Sequence, residues 1–519
     1  MPKSIKLDDK FDSAVLNIAL DTLKINKQAL IFVNTKKSAE KTAEEISKKI
    51  KSESAALNAL AYEAVNALSR PTKQCERLAL CLKKGIAFHH AGLTQKQKNI
   101  IEENFRNGTV KIICSTPTLA LGVDLPAFRA IIKDLKRYTM HGLTWISVLD
   151  YLQMSGRAGR PNYDKEGQAI TIALTKGEKE KIEEKYINGS PEEIYSKLAV
   201  EPVLRTYVLS LIASNLTTTR KELFSFFDKT FYAHQFKDLR RLHTAITKVI
   251  DLLGEWELIM RSTDEFSSAD ELNDEKFRAT VMGKRISELY VDPLTAYFII
   301  TCMRNASDKK IHAFSFLQMI SHTLEIRPLM KVGLREHDKI QETLLEYTDF
   351  LLENEPSMYE PEYEDFLNSI KTALMLNHWI CEQDEEFLLD EYNIRPGELR
   401  IKLENADWLL YASEEISRIL HYQSLIKEIV KLRLRLRYGV KEELLPLVRL
   451  ENIGRVRARL LFRNRFRDMK DIKNADLSTL TQLLGEKVAF SIKKQLGQEQ
   501  MEVPENKKKG QISLKDWEG

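Results

Sequence analysis

Residues 29–34 read ALIFVN, a run of apolar, partly β-branched residues that ends at a polar asparagine. A run this short is typical of a strand buried in a sheet rather than of a helix. Similar runs occur at residues 86–89, 110–115, 129–135 and 168–174, and amphipathic helical patterns such as residues 95–107 separate them. This alternation predicts βαβ units around a parallel sheet over the first 190 or so residues.

The composition indicates a soluble, multidomain protein. The chain has 519 residues, of which 43% are hydrophobic and 30% charged, with a net charge of +4. A near-neutral total still permits nucleic-acid binding, which depends on local clustering of basic residues. The five cysteines form no C-x-x-C pair, which favours a reducing cytosol and predicts neither disulfides nor zinc. The amino end has no signal-peptide core, and no apolar run is long enough to span a membrane.

The remainder of the chain is predicted to be mostly helical. Two strand-like runs, residues 255–261 and 277–281, flank a polar loop and, after helices, predict a winged helix. Residues 293–435 have only helical patterns, and a basic run at 431–437 leads to a turn at Asn452-Ile453-Gly454. The polar tail is predicted to be disordered. The expected domains are residues 1–195, 196–292, 293–438, 439–500 and a tail, 501–519.

The segment QMSGRAGRP, residues 153–161, has the clearest chemical signal. We expect Arg157 and Arg160, three positions apart at the start of a helix, to lie on one side and to suit a polyphosphate. The alternative is a pair of surface arginines in salt bridges. The segments CSTPTLALGVD (114–124) and FHHAGL (88–93) follow predicted strands, so we expect a ligand site at the carboxyl edge of the sheet.

These segments together resemble the second RecA-like domain of superfamily 2 helicases. ALIFVN is similar to motif IV, STPTLALGVDLPA to motif V and QMSGRAGRP to motif VI. The residues of these motifs resemble those of the ski-like branch of these helicases, and most of all those of the archaeal Hjm DNA helicases of the HELQ family. Beyond the motor, residues 196–215 resemble the winged-helix entry of that family, 404–416 its ratchet helix, and 447–464 its helix-hairpin-helix domain.

The resemblance implies ATP and Mg²⁺ as cofactors. Gln153, Arg157 and Arg160 would be catalytic, and Gly122, Asp124 and Gly156 would bind the nucleotide. The P-loop and the D-E-x-H box of these helicases do not occur in this sequence, and Gly283-Lys284-Arg285 lacks the required spacing. We therefore expect a fragment or a split-gene subunit that is inactive alone, with metal ligands on a P-loop domain and none in this chain.

The resemblance also implies DNA contacts. Residues 136–151 match a strand-separating hairpin; the alternative is a plain surface hairpin. Trp408 matches the base-stacking position of the ratchet helix, although a helical tryptophan is more often part of a core. The winged helix is expected to act mainly as scaffolding. The residues expected at DNA are Thr116, Tyr138, His141, Arg400, Trp408, Gly454, Arg455 and Arg457.

The implied function is the C-terminal part of an ATP-dependent 3′–5′ DNA helicase acting on single-stranded and forked or branched DNA in replication-fork repair. A non-catalytic DNA-binding adaptor and a ski-like RNA helicase remain alternatives. At the end of the chain, Gln511, Leu514 and Trp517 resemble a sliding-clamp-binding peptide; an unstructured tail is the alternative.

Overall fold

The computed structural model describes residues 10–51, 54–68, 70–139, 142–160, 164, 166–262, 275–306 and 309–497. Three hydrophobic cores organise them. One lies in an amino-terminal α/β unit, one is shared by two largely helical units, and one lies in a small terminal unit. No helix in these ranges is long and apolar enough to cross a membrane.

The α/β unit is built on the parallel sheet that the alternating pattern predicts. Its strands are β1 (Ala29–Phe32), β2 (Ile86–His89), β3 (Ile112–Ser115), β4 (Arg129–Ile132) and β7 (Gln168–Thr171). Their order is β2-β3-β1-β4-β7, and every pair is parallel. Every residue of β1 to β4 is buried, because helices cover both faces and leave no position for a polar alternation. The five predicted strands are confirmed.

Eight helices accompany this sheet. They are α1 (Ala14–Lys24), α2 (Lys36–Ser47), α3 (Ala55–Val65), α4 (Lys73–Leu82), α5 (Gln95–Arg106), α6 (Thr118–Gly122), α7 (Val148–Ser155) and α8 (Lys176–Ile182), which continues as a π-helical turn, Glu183–Ile187. Thr35 caps α2, and Thr94 with Gln97 forms a capping box on α5. These caps begin the helices directly after the ends of strands.

A two-stranded hairpin interrupts the unit between β4 and α7. It consists of β5 (Lys136–Thr139) and β6 (Gly142–Trp145), paired antiparallel with Tyr138 opposite Leu143. Its base is held by Lys136, whose Nζ lies 4.5 Å from the centroid of the Trp145 ring. The predicted hairpin is therefore present.

The next unit combines helices with a ribbon. Its elements are α9 (Glu201–Ala213), α10 (Arg220–Phe227), α11 (Phe231–Phe236), α12 (Leu239–Glu255), β8 (Ile259–Ser262), β9 (Lys276–Ala279) and α13 (Val281–Leu289). β8 and β9 pair antiparallel, as the two strand-like runs predict. Gly283 permits α13 to approach the ribbon, because a Cβ there would lie 1.9 Å from the Leu258 carbonyl oxygen.

All the regular secondary structure in the described residues of the following unit is helical, as predicted. Its helices are α14 (Pro293–Asn305), α15 (Ala313–Ser321), α16 (His337–Tyr347), α17 (Glu362–Ile380), α18 (Glu385–Tyr392), α19 (Pro396–Ile419) and α20 (Gln423–Tyr438), with single 3₁₀ turns at Leu334–Glu336 and Thr348–Phe350. α19 is 24 residues long and packs against α13, α14, α15 and α20. It is the central helix of the shared core.

The terminal unit begins after Gly439. A 3₁₀ turn, Glu442–Leu444, precedes α21 (Arg455–Arg463), α22 (Met469–Asn474), α23 (Leu477–Leu484) and α24 (Glu486–Gln495). Asn452 has φ +66°, the left-handed conformation that asparagine tolerates, and Gly454 is the N-cap of α21. The turn predicted at these residues is confirmed.

Candidate nucleotide and nucleic-acid interfaces

The arginine motif follows a helix instead of starting one, which corrects the sequence-based expectation. α7 ends at Ser155 and Gly156 is its C-cap. The backbone then runs extended beside Ala127, whose N–H donates to the Arg157 carbonyl at 2.9 Å and whose carbonyl accepts from Gly159 N–H at 2.6 Å. Gly159 has φ +97°, which disfavours any residue with a Cβ. This turn sends the two arginine side chains to different partners.

Arg157 contacts the segment that resembles motif V. Its Nε and Nη2 donate to the carbonyl of Ala120 in α6, with Nε at 3.1 Å. Its Nη1 lies 3.4 Å from Asp124 Oδ1, and the Asp124 side chain is 94% exposed. The predicted loop of small residues is in fact the five-residue helix α6, which ends at Gly122, a residue with open space around it. Arg157 therefore joins the segments that resemble motifs V and VI.

Arg160 belongs to a separate network. It donates to Asp164 at 2.7 and 3.2 Å and to Gln28 Oε1 at 2.6 Å. Lys27 Nζ donates to the same carboxylate at 2.7 Å. Arg160 and Lys27 hold the pKa of Asp164 below its ordinary value. An arginine held on a buried carboxylate is oriented before any ligand arrives.

Both arginines lie near the amino edge of the sheet. Gln28 directly precedes β1, and Ala127 lies two residues before β4. The expectation of one ligand site at the carboxyl edge is wrong for this motif. After β3 the chain must return to the other edge before β4 can run parallel to it, and α6 and Asp124 lie on that return.

Gln153 has one unused polar atom. Its Oε1 is buried and has no hydrogen-bond partner among the described residues. A buried acceptor without a donor costs free energy unless a ligand or partner supplies one. Leu149 and Leu152, on the same helix, are exposed. The surface around Gln153 therefore combines exposed apolar side chains with a hydrogen-bond acceptor that lacks a donor.

A cavity does lie at the carboxyl edge of the sheet. It has a volume of about 610 Å³, and we call it the strand-end cavity. Residues that follow β1, β2, β3 and β4 line it; they include Thr35, Lys36, Ala91, Thr116 and Arg137. The first turn of α2 and four basic side chains make this cavity suitable for phosphate. Thr116, expected at DNA, lies here.

Two apolar side chains in the described part of the hairpin are exposed. Tyr138 is 84% exposed and its cross-strand neighbour Leu143 is 55% exposed. Arg137 at the base pairs with Asp150 at 3.4 Å, so the ribbon is tied to α7. The second residue expected at the tip, His141, lies outside the described residues. Of the exposed pair Tyr138–Leu143, the sequence analysis predicted only Tyr138 as a contact residue, since no sequence pattern pointed to Leu143.

The two residues expected on α19 have different surroundings. Arg400 is exposed, is bonded to Glu404 one turn later, and lines a groove of about 840 Å³ between α19 and α5. We call this the α19 groove. Trp408 is half-buried against the shared core, and its Nε1 donates to the Leu289 carbonyl at 3.0 Å. Part of the Trp408 ring thus packs in the core, as the alternative interpretation of the sequence predicted.

The terminal unit uses some of its arginines for docking. Arg455 lies 4.6 Å from the Trp379 ring centroid and donates to the Gln383 carbonyl at 2.9 Å. Arg459 pairs with Glu382 and Glu443. Arg457 is exposed and donates to the Asn452 carbonyl, while Gly454 has open space around it. Of the residues expected at DNA, Gly454 and Arg457 face solvent and Arg455 faces the helical unit.

Comparisons with known proteins find helicase and DNA-binding domain families in this chain. The helicase conserved C-terminal domain matches residues 12–162, a helix-turn-helix domain matches 171–260, and domain 4 of archaeal helicases matches 314–439. A Pyrococcus horikoshii protein named ATP-dependent DNA helicase Hel308 is 37% identical over 97% of this chain and 68% of its own length. The chain belongs to the Hel308 helicase family.

Relatives from other archaea extend this match. The Hel308 helicases of Pyrococcus abyssi and Methanococcus vannielii are 37% and 36% identical, over 95% and 93% of this chain and 67% and 68% of their own lengths. The chain thus spans about two thirds of the relatives that it matches. The predicted clamp-binding residues Gln511, Leu514 and Trp517 lie outside the described residues, as does Pro161.

Sequence reasoning missed the residues that hold Arg160. Gln28 donates through Nε2 to the carbonyls of Phe105 and Val110 at 2.6 and 2.8 Å, which turns its Oε1 toward Arg160. Asp164 follows the motif by only a few residues. The sequence indicated this pairing only through the spacing, since Asp164 lies four residues after Arg160. That spacing pairs charges on helices and is common by chance.

Proposed function

We propose that this Hel308-family chain carries the second RecA-like motor domain and the DNA-handling domains of a 3′–5′ DNA helicase. The α/β unit would be the motor domain, followed by a winged helix, a ratchet domain and a helix-hairpin-helix domain. ATP and Mg²⁺ would bind between the motor domain and a P-loop RecA-like domain, in the same polypeptide or in another. The observation that carries the proposal is Arg157 held against Ala120 and Asp124.

The chemistry at this cleft is electrostatic. An arginine that is already oriented stabilises charge on the γ-phosphate as it is transferred to water, and loses little entropy in doing so. Arg157 and Arg160 would perform this role from two anchored positions, and the free Gln153 Oε1 would accept a hydrogen bond from the attacking water or from the partner domain. Gly122, Asp124 and Gly156 leave the surface open for the nucleotide.

The exposed apolar surface of α7 supports a partner domain at this place. Leu149 and Leu152 lie one turn apart on the helix that carries Gln153, and both are exposed. Apolar side chains beside a polar site are typical of an interface between domains. A P-loop domain would cover them and close the nucleotide site.

The path of the DNA would run over the carboxyl edge of the sheet and along α19. Thr116 and the first turn of α2 would bind phosphates in the strand-end cavity, and Arg400 would bind the strand in the α19 groove. Trp408 would stack on a base through the part of its ring that the core leaves free. Gly454 and Arg457 would bind the strand further along, with Arg455 holding the terminal unit in place.

The hairpin supports a role in separating strands. Tyr138 and Leu143 form an exposed apolar pair on an anchored ribbon, which suits stacking on the last base pair of a duplex. Forked or branched DNA, which presents a duplex beside a single strand, is therefore the proposed substrate. Repair of stalled replication forks is the proposed setting, and a sliding clamp is a further proposed partner.

Two alternatives are distinguished by one experiment. The chain is combined with the P-loop domain from the same genome, and unwinding of a forked DNA duplex and of the matching RNA duplex is measured with ATP. The proposal predicts unwinding of DNA with a 3′ single strand and little unwinding of RNA. Comparable RNA unwinding favours an RNA helicase. DNA binding with no unwinding by the pair favours a non-catalytic adaptor.

A further inference from the structure

The amino end of α19 is bonded to the α/β unit through a buried ion pair. Arg395, the residue before the helix, donates from Nε to Glu40 Oε1 at 3.1 Å. Both residues are buried, and Glu40 lies on α2, 355 positions earlier in the chain. A buried charge is costly unless it is paired, so this contact allows few other positions for the start of α19.

His90 and Arg77 complete the cluster around Glu40. His90 Nδ1 accepts from the Gly92 N–H at 3.1 Å, so Nε2 carries the proton and donates to Glu40 Oε1 at 3.2 Å. Arg77 donates to Oε2 at 2.7 Å. Burial would raise the pKa of Glu40, but the bond from His90 and the charges of Arg395 and Arg77 outweigh it and lower the pKa to about 2. Glu40 is therefore ionised and fully bonded.

A backbone contact lies beside this cluster. The N–H of Gly397, in the first turn of α19, has no partner within its helix and donates to the Gly92 carbonyl at 3.1 Å. A Cβ on Gly397 would lie 2.2 Å from the Leu93 carbonyl oxygen and 2.4 Å from that of Ala91. Glu398 adds an ion pair to Lys36. Two backbones approach here to a distance that only glycine permits.

The contact lies between the two cavities. Arg395 lines the strand-end cavity together with Thr116, and Gly397 lines the α19 groove together with Arg400. A helix rises about 1.5 Å per residue, so Arg400 lies about 8 Å along α19 from Arg395. Any change in how the helix begins is therefore transmitted directly to Arg400.

We propose that Glu40, His90, Arg395 and Gly397 form a rigid joint that positions α19, so that one nucleic-acid strand is held in both cavities at a fixed geometry. The inference rests on the proposed function for the nature of the ligand. These four are positioning residues, and none needs to touch the strand. A strand bound at two rigidly connected sites gains from a high effective concentration at the second site, and a loose joint loses that gain.

The test compares short and long oligonucleotides on the full chain. Fluorescein-labelled oligothymidylates of about 4 and about 16 nucleotides, which reach one or both cavities, are titrated and followed by anisotropy. Arg395→Gln removes the charge. Gly397→Ala inserts a methyl group at the backbone contact while improving the intrinsic helix propensity of α19. In both variants the Kd for the long strand is expected to rise about tenfold or more, and that for the short strand to change less than about twofold.

Two matched variants are controls. Gly177→Ala makes the same substitution in a helix where no atom lies within 4 Å of the added Cβ. Lys73→Gln removes a cation from an exposed ion pair with Asp390 and Glu386 at the rim of the same interface. Both should bind like the wild type. Arg395→Lys, which keeps the charge, should recover part of the lost affinity.

The outcomes separate this inference from the proposed function. Equal effects on both lengths, or none on either, would overturn the joint. Should the wild type bind neither oligonucleotide, the proposed function fails instead. Hydrogen exchange then decides the joint by itself, since Arg395→Gln and Gly397→Ala must speed exchange in residues 395–400 and 88–94 more than elsewhere. Unchanged exchange in those segments would refute it.

Discussion

The substitution Glu40→Gln tests the electrostatics of the buried cluster. Glutamine keeps the shape of the side chain and one carbonyl acceptor but has no charge to offer Arg395 and Arg77. The pKa of Glu40 is lowered from 4.5 to about 2. At 1.36 kcal/mol per pKa unit, the ionised carboxylate contributes about 3 kcal/mol to the free energy of unfolding at pH 7.

The sign of the pH dependence follows from the direction of the shift. A carboxyl group with a lowered pKa stabilises the fold above its unfolded pKa of about 4.5, and that contribution is lost as the pH falls toward 2. At pH 3 a little under half of it remains. Burial also lowers the pKa of His90, so stability falls as the pH falls below its ordinary value of 6.5 as well. The wild type and the variant are therefore compared at each pH.

The assay is urea unfolding followed by circular dichroism at pH 7, 5 and 3. The variant should be less stable than the wild type by about 3 kcal/mol at pH 7 and by about half as much at pH 3. Glu45→Gln, an exposed carboxylate on the same helix, is the control and should change little. A difference that is constant with pH, or below about 1 kcal/mol at pH 7, would refute this reasoning.

Substitutions at three further residues test the proposed DNA contacts. Tyr138→Ala should lower the unwinding rate of forked DNA with the P-loop domain while leaving DNA-stimulated ATP hydrolysis unchanged; a parallel loss of both would argue against a wedge. Trp408→Phe keeps a ring and loses the bond to Leu289, so it should cost about 1 kcal/mol of stability and little DNA affinity. Trp408→Ala should lose both stability and DNA affinity. If Trp408→Ala loses stability but not DNA affinity, the tryptophan has a core role alone. Arg457→Ala should weaken DNA binding and reduce the slope of log K against log salt by about 1 without changing stability, and an unchanged slope would exclude a phosphate contact.

The sheet and several turns were predictable because local chemistry determines them. The strand at residues 29–32 has no polar position, so only a strand buried on both faces accommodates it. A turn was expected at Asn452, and this residue adopts the left-handed conformation that asparagine tolerates. In such places the sequence pattern and the tertiary fold require the same backbone, and prediction succeeds.

The partners of the functional arginines could not be predicted in the same way. Arg160 bonds to Gln28, which is 132 positions away, and their meeting depends on the order of strands in the sheet. The expectation that Arg157 and Arg160 share one helical face failed because Gly156 ends α7 before either residue. Arg455 was expected at DNA but packs on Trp379. A guanidinium binds an aromatic ring as well as a phosphate, and the sequence around it does not say which of the two it will meet. These outcomes depend on long-range packing.

Arg157 is proposed to act on a nucleotide held by a second, P-loop domain. The most direct measurement is DNA-stimulated ATP hydrolysis by the chain alone, by the P-loop domain alone and by the two together, with wild-type and Arg157→Ala chains. We predict hydrolysis that requires both parts and falls about a thousandfold with Arg157→Ala. Hydrolysis by the pair that is unchanged by this substitution would contradict the account.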